Sequence, residues 1–407
     1  MTDKFPRSFR NLAAANLGAQ SAEQLSLAAV PLAAVLALGA GPGEIGLLAA
    51  VQTLPFLLLS IPMGLLADRL PRRRVMLASE VLRTVSLLLL LLMVATGHIS
   101  IAGMAVLGFI GALGTVGFTV AAPALVPAIV PRELHARANG RLELARSAAY
   151  AGGPALAGAL VAWAGASSAF VIASLLSAAA VALLWRLQEP SRTPAPPRHA
   201  LLEIRDGLRF VWHDALLRPI LLTGVAWNIS WFVLQAAYVP YALRALGLTA
   251  QAVGVTLGCY GAGMVVGALF APRVVGTMRF GRAVQLGPVV SVLAATAMVL
   301  TLFVPTGVLA GVSFFLFGAG PIIWTMTTTT LRQGITPGTL LGRVGSVFLT
   351  VNAGARPVGA GIGAAVGSLW GEAACLWLAL AGFTLQALVI LASSMNGLQR
   401  VPELRTP

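Results

Sequence analysis

Only 10% of this 407-residue chain is charged, so an ionisable residue inside an apolar run is the first place to look for chemistry. Glu23 is one. It stands twelve residues beyond Asn11, about 18 Å along a helix rising 1.5 Å per residue, which is close to the centre of a bilayer. An ionised acid at that depth costs a few kcal/mol and is functional by default. Binding and releasing a proton is the chemistry it suits; the plain alternative is a packing hydrogen bond with Gln20, Gln24 or a partner helix. Arg356, thirteen residues past Arg343, lies at a similar depth and must face protein or water. Three readings of it stay open: a partner for Glu23, a grip on an anionic substrate group, or a stabiliser of the site. Arg146, with Glu143 at i−3, and the pair Glu80 and Arg83 at i and i+3 are explained locally, as braces near helix ends.

Aromatic and amide residues form a second set. Trp227, Asn228, Trp231, Gln235 and Tyr238 line one side of the seventh apolar run, and Trp324 sits with Thr325 and Thr327 in the tenth. Aromatics with few amides suit a large amphipathic ligand, although aromatics near helix ends also serve as interface anchors. The candidate cavity residues are Gln20, Gln24, Arg146, Asn228, Trp231, Gln235, Trp324, Asn352 and Arg356.

The elements that must position these residues are membrane helices. The chain is 58% hydrophobic with a mean hydropathy of +0.88, far from soluble usage of about 25% charged residues. Apolar runs of the ~20 residues needed to cross a bilayer recur at about 12–38, 44–67, 74–97, 100–127, 142–165, 168–187, 218–242, 249–271, 283–304, 308–331, 343–369 and 373–395. The net charge of +14 does not point to nucleic acid, because most of the basic residues lie on one side. All the basic residues except Arg83, Arg146, Arg244 and Arg356 fall in the tails or in alternate loops, and Arg244 alone lies in an opposite-side loop. The positive-inside rule then places both termini in the cytoplasm.

Cys259 and Cys375 lie inside apolar runs, and His98, His135, His199 and His213 lie in loops or at the surface, so neither a metal site, a disulfide nor an intramembrane histidine relay is expected. The first run carries Glu23 and is too long for a signal-peptide core, so it is expected to be retained. Gly41-Pro-Gly-Glu-Ile-Gly46 fits G-x-G-x-x-G but follows a membrane helix and not a strand, so it reads as a loop.

The densest charge lies in Gly64-Leu-Leu-Ala-Asp-Arg-Leu-Pro-Arg-Arg-Arg74, between the second and third runs. Gly64, Leu66, Ala67, Asp68, Arg69, Arg72 and Arg73 resemble the loop G-x-L-A-D-R-x-G-R-R of the major facilitator superfamily; Pro71 stands where the family usually has a second glycine. The halves of the chain repeat: Gly140-Arg141 and Pro154-x-x-x-Gly158 match Gly342-Arg343 and Pro357-x-x-x-Gly361, and Gly64 matches Gly267, at an offset of 202 or 203 residues. Gly267-Ala-Leu-Phe-Ala-Pro-Arg273 has lost the acid. Tyr150-Ala-Gly-Gly153-Pro154-Ala-Leu-Ala-Gly158 resembles the antiporter motif of the superfamily's exporters, a seam of small residues where helices touch.

Glu189-Pro-Ser-Arg-Thr-Pro-Ala-Pro-Pro-Arg198 is a proline-rich linker. After it Leu201, Ile204, Leu208, Val211, Trp212 and Ala215 share a face of an amphipathic helix expected on the cytoplasmic surface, and Asp206 to Val211 resemble this segment in macrolide- and siderophore-exporting members. The expected organisation is a six-helix half over 1–188, a linker with its amphipathic helix over 189–216 and a second six-helix half over 217–407.

The resemblance implies an all-α fold of twelve spans in two pseudo-symmetric halves, with a transport site at the midplane. It further implies a secondary transporter that exports a drug-like, macrolide or siderophore-type molecule against protons by alternating access. In that reading Glu23 couples the proton; Gly64, Asp68, Arg69, Arg72 and Arg73 form the conformational switch; and Gly153, Pro154 and Gly158 form the antiporter motif. Import of a small metabolite is the alternative, and a non-transporting receptor a further one. An ATP-driven pump is excluded because its phosphate loop needs a lysine and Lys4, in the N-terminal tail, is the chain's one lysine. No enzyme motif is present, and no cofactor is expected. The expected partners are a small molecule, protons and the lipid bilayer, with the chain a monomer in a bacterial inner membrane.

Overall fold

Long apolar runs in hydrocarbon must satisfy their backbone groups internally, and in this chain they do so as helices. The computed structural model describes residues 5–131, 134–190, 200–337 and 340–399, without the side chains of Leu65, Asp68, Ala136 and residues 200–204. The helices are α1 (Arg7–Leu38), α2 (Pro42–Arg69), α3 (Arg72–Ala95), α4 (Ile101–Ile129), α5 (His135–Ala164), α6 (Ala166–Trp185), α7 (Ala200–His213), α8 (Leu217–Arg244), α9 (Ala250–Thr277), α10 (Phe280–Leu300), α11 (Gly307–Ile335) and α12 (Leu341–Leu391). Ten of them are long and apolar enough to cross a membrane. α5 falls short by composition, since Arg137, Arg141, Glu143 and Arg146 occupy its first turns and Tyr150 to Pro154 are small or polar. α12 runs for 51 residues, about 76 Å, more than twice the ~30 Å hydrocarbon thickness. Gly371, at φ 79° and ψ −178°, divides it into two arms, so the break expected between the runs 343–369 and 373–395 contracts to one glycine in a conformation that other residues rarely adopt. With both arms and α5 counted, the chain is an all-α polytopic protein of twelve spans.

Chemistry at the ends explains several boundaries. α1 stops where Gly39 turns left-handed at φ 65°, and the Gly39 and Ala40 N–H groups close onto Val35 O and Ala34 O at 3.1 and 3.2 Å, as a C-terminal glycine cap requires. Ser100 and Thr306 cap α4 and α11 through their hydroxyls. α2 extends through the charged loop to Arg69, leaving Leu70 and Pro71 as the whole connection to α3. Pro71, at φ −54°, suits a helix start because its missing N–H would have had no helical partner.

The chain divides into two units, the first holding residues 1–40, 51–198 and 249–255, the second 41–50, 199–248 and 256–407. Each therefore includes the first turns of a helix from the other half of the sequence. In the first unit α1 packs against α5 and α6, and α3 against α4 and α6; Phe9, Leu12, Met76, Phe118, Leu125 and Leu184 fill the core near the arginine-rich helix ends. In the second, α8 and α10 pack on α12, α10 on α11 and α7 on α12, around Val211, Leu217, Phe280, Val344 and Ile390.

Each unit seals the start of one helix with the segment that follows another. The Arg72 and Arg73 backbone N–H groups, at the start of α3, donate to the Glu189 carboxylate at 3.1 and 2.8 Å. The Arg73 guanidinium donates in return to Leu184 O and Trp185 O at 3.1 and 2.5 Å, at the end of α6. An acid at a helix start and a cation at a helix end each also complement the helix dipole. In the second unit the Phe280 and Gly281 N–H groups, at the start of α10, donate to Gln399 O and Leu398 O at 3.3 and 3.0 Å.

Candidate functional site

The first unit buries a charge cluster. The Arg83 guanidinium on α3 pairs with Glu80 one turn away and lies 3.6 Å from Glu23 on α1. It also donates to Thr115 on α4 at 3.4 Å and sits 5.7 Å from the centre of the Phe118 ring. Glu80 takes a 2.6 Å hydrogen bond from Ser177 on α6, whose hydroxyl is 2.8 Å from that of Thr84. Glu80 is fully buried and Arg83 nearly so, whereas the Glu23 side chain keeps 17% of its surface exposed. Two carboxylates share one guanidinium.

Of the sequence candidates, Glu23 thus falls in a polar cluster with residues explained from sequence as a helix brace. It forms an ion pair with Arg83, and Arg356 donates to Asn228 on α8 at 3.4 Å. The signal for Arg83 was its depth: it stands eleven residues past Arg72, about 16 Å at 1.5 Å per residue, near the level of Glu23. The neighbouring amides on α1 are buried as well, Gln24 with its Nε2 unpartnered. Arg146 makes a 3.0 Å hydrogen bond to Glu143 and holds its charge 5.5 Å from the Tyr150 ring.

Gly153 brings α5 against α1, because a Cβ there would lie 2.5 Å from the Gln24 Cβ. Gly158 does the same against the first turns of α9, where a Cβ would meet the Gly254 Cα at 2.7 Å, while one on Gly254 would lie 2.5 Å from Pro154 O. The antiporter-like motif is therefore the seam along which α5 touches α1 and α9. The second unit has a related crossing, in which a Cβ on Gly46 of α2 would come within 2.6 Å of the Ala364 backbone on α12.

In the second unit Asn228 also donates to Asn352 at 3.3 Å and to Gly224 O at 2.9 Å, so Arg356, Asn228 and Asn352 form one polar chain between α8 and α12. Beside it Trp227 stacks on Trp231 at 5.3 Å, and Trp231 meets Tyr260, Phe314 and Phe317 at 5.0 to 5.8 Å. Trp231 is buried, at 8% exposure; Gln235 and Trp324 are half-buried. In the charged loop Arg72 donates to Ala124 O on α4 and Arg73 caps α6. Arg69 is exposed, Gly64 has open space where a Cβ would stand, and the Asp68 side chain lies outside the described residues.

Residues 12–360 match the family model of the Major Facilitator Superfamily. The chain is 30% identical over 261 residues to the MFS-type transporter y4rN of Sinorhizobium fredii, a match covering 63% of this chain and 62% of that protein. It is 27% identical over 314 residues to the enterobactin exporter EntS of Citrobacter koseri, covering 75% of this chain and 72% of that one. Among solved structures it is similar to a bacterial homologue of the iron transporter ferroportin in its inward-facing state, with TM-score 0.74 and 16% identity over 95% of this chain and 98% of that one. It is similar also to the nucleoside transporter NupG, with TM-score 0.75 and 12% identity over 95% and 99%; identities this low speak to the fold alone. With the family model matched over most of its length and the twelve-span fold present, the chain belongs to the Major Facilitator Superfamily of membrane transporters.

Proposed function

We propose that this transporter is a secondary exporter that moves a drug-like, macrolide or siderophore-type amphipathic molecule out of a bacterial cell by alternating access, driven by protons entering. The observation that carries the coupling is the shared guanidinium of Arg83. Glu80 is sealed between Arg83 and Ser177, with no exposed surface. Glu23 has the longer contact, 3.6 Å, and the more open side chain, which supports its role as the acid that exchanges a proton. Protonating it removes one of the two negative charges that face the Arg83 guanidinium, and a neutral carboxyl is less costly to bury than a charged one.

Export over import is supported by the likeness to an enterobactin exporter. The arginine-rich ends would face the cytoplasm with both termini, and the chain would act as a monomer. The polar chain of Arg356, Asn228 and Asn352 beside the Trp227–Trp231 stack supplies the charge, amide and aromatic surface that such a molecule offers contacts to. Asp68, Arg69, Arg72 and Arg73 would set the balance between states.

The test is uptake into inverted vesicles or proteoliposomes with and without an imposed pH gradient, using substrates found by screening a strain that lacks efflux pumps. Glu23→Gln mimics the protonated acid. It should abolish gradient-driven accumulation while leaving downhill exchange measurable, and full gradient-driven uptake by this variant would refute the assignment.

A further inference from the structure

α7 has no part in the transport reading, yet its surface is organised. Its 14 residues span about 21 Å, too short to cross ~30 Å of hydrocarbon. Gly207 and Val211 are buried, and Gly207 lies so close to the start of α12 that a Cβ there would stand 2.8 Å from Arg343 O. This fixes the helix at the level where α8 and α12 begin. The other edge is open: Arg205, Leu208, Arg209 and Trp212, spaced i, i+3, i+4 and i+7, are all exposed, Leu208 at 40% and Trp212 at 49%. The Arg218 guanidinium adds a third cation, 5.9 Å from the Trp212 ring.

The nearby described acids are already engaged. Asp206 pairs with Arg343 at 3.3 Å, and one Asp214 oxygen accepts the Leu216 and Leu217 N–H groups at 2.9 and 2.8 Å. No described carboxylate pairs with Arg205, Arg209 or Arg218. A groove of about 640 Å³ opens alongside, lined in part by Arg209, Phe210, His213 and Arg343.

We propose that this edge of α7 docks the headgroups of anionic phospholipids in the surrounding bilayer, with Leu208 and Trp212 entering the acyl boundary and the arginines holding phosphate. A soluble anion would satisfy the arginines but leave Leu208 and Trp212 in water. A neutral lipid would cover the apolar pair and leave the arginines without a counter-charge. Interfacial helices that combine arginine with tryptophan and leucine bind membranes through both terms.

The full chain, purified in mild detergent and exposed to an equimolar mixture of phosphatidylglycerol and phosphatidylcholine with the same acyl chains, is analysed by native mass spectrometry for lipid retained. The wild-type chain should retain phosphatidylglycerol preferentially, and the preference should fall roughly fivefold for each arginine lost in R205Q/R209Q. R205K/R209K should keep it, as should R273Q/R279Q, which removes two exposed cations elsewhere. Trp212→Gln should reduce retention of both lipids together. No preference in the wild-type chain, an unchanged preference in R205Q/R209Q, or an equal fall in R273Q/R279Q would each overturn the proposal.

Discussion

Arg83 of α3 reaches Glu23 of α1 across 3.6 Å while holding Glu80 one turn away on its own helix. One guanidinium serving two acids from different helices makes Arg83 the residue on which the cluster depends. Arg83→Gln leaves Glu80 buried without its counter-charge, which should cost about 3–5 kcal/mol. The matching change Arg343→Gln breaks a pair that is 36% and 48% exposed and should cost at most about 1 kcal/mol. Thermal unfolding of both variants in detergent checks the difference; equal losses would mean that Arg83 is not the keystone.

The small-residue seam makes a separate prediction. Gly153→Leu should separate α5 from α1 at Gln24 and lower stability by about 1–3 kcal/mol. Gly152→Ala, where a Cβ meets nothing within 4 Å, should be neutral or slightly stabilising. Folded yield by size-exclusion chromatography distinguishes the two.

Trp231 touches four other rings. Trp231→Ala should therefore cost about 3–5 kcal/mol of stability, read as a lower melting temperature before any ligand is added. A variant that melts like wild type but binds substrate poorly would instead make Trp231 a cavity wall alone.

The proposed sidedness is open to chemical labelling. Cysteines introduced at Gly41 and Ser167 should react with an impermeant thiol reagent added outside intact cells, while one at Ala195 should not. Reversed labelling would invert the topology. Asp68→Asn should insert normally yet slow both downhill and gradient-driven flux; undiminished flux would remove Asp68 from the switch.

Much of the fold was legible because membrane helices announce themselves by length and loops by arginine. The close approach at Gly158 came from the small-residue spacing. The approach of Arg83 to Glu23 was hidden, because Glu80 and Arg83 already satisfy the i,i+3 rule and a local explanation hides a contact between helices far apart in sequence. The amphipathic face of α7 was only half right. Periodicity grouped Leu208, Val211 and Trp212 together, whereas packing on α12 turns Val211 inward and leaves the other two exposed. Glu189, read as the first residue of a linker, could not be recognised as a cap from its own neighbours because the groups it accepts from are more than a hundred positions away.

That cap sets where the chain tolerates interruption. A reporter domain inserted after Thr193 would leave Glu189 in place against the start of α3, and the Leu398 and Gln399 carbonyls against α10. The same domain inserted after Leu187 would pull Glu189 away and expose the Arg72 and Arg73 amides. Permissive splicing should therefore begin after residue 190, several positions later than hydropathy alone would place the end of the first six helices.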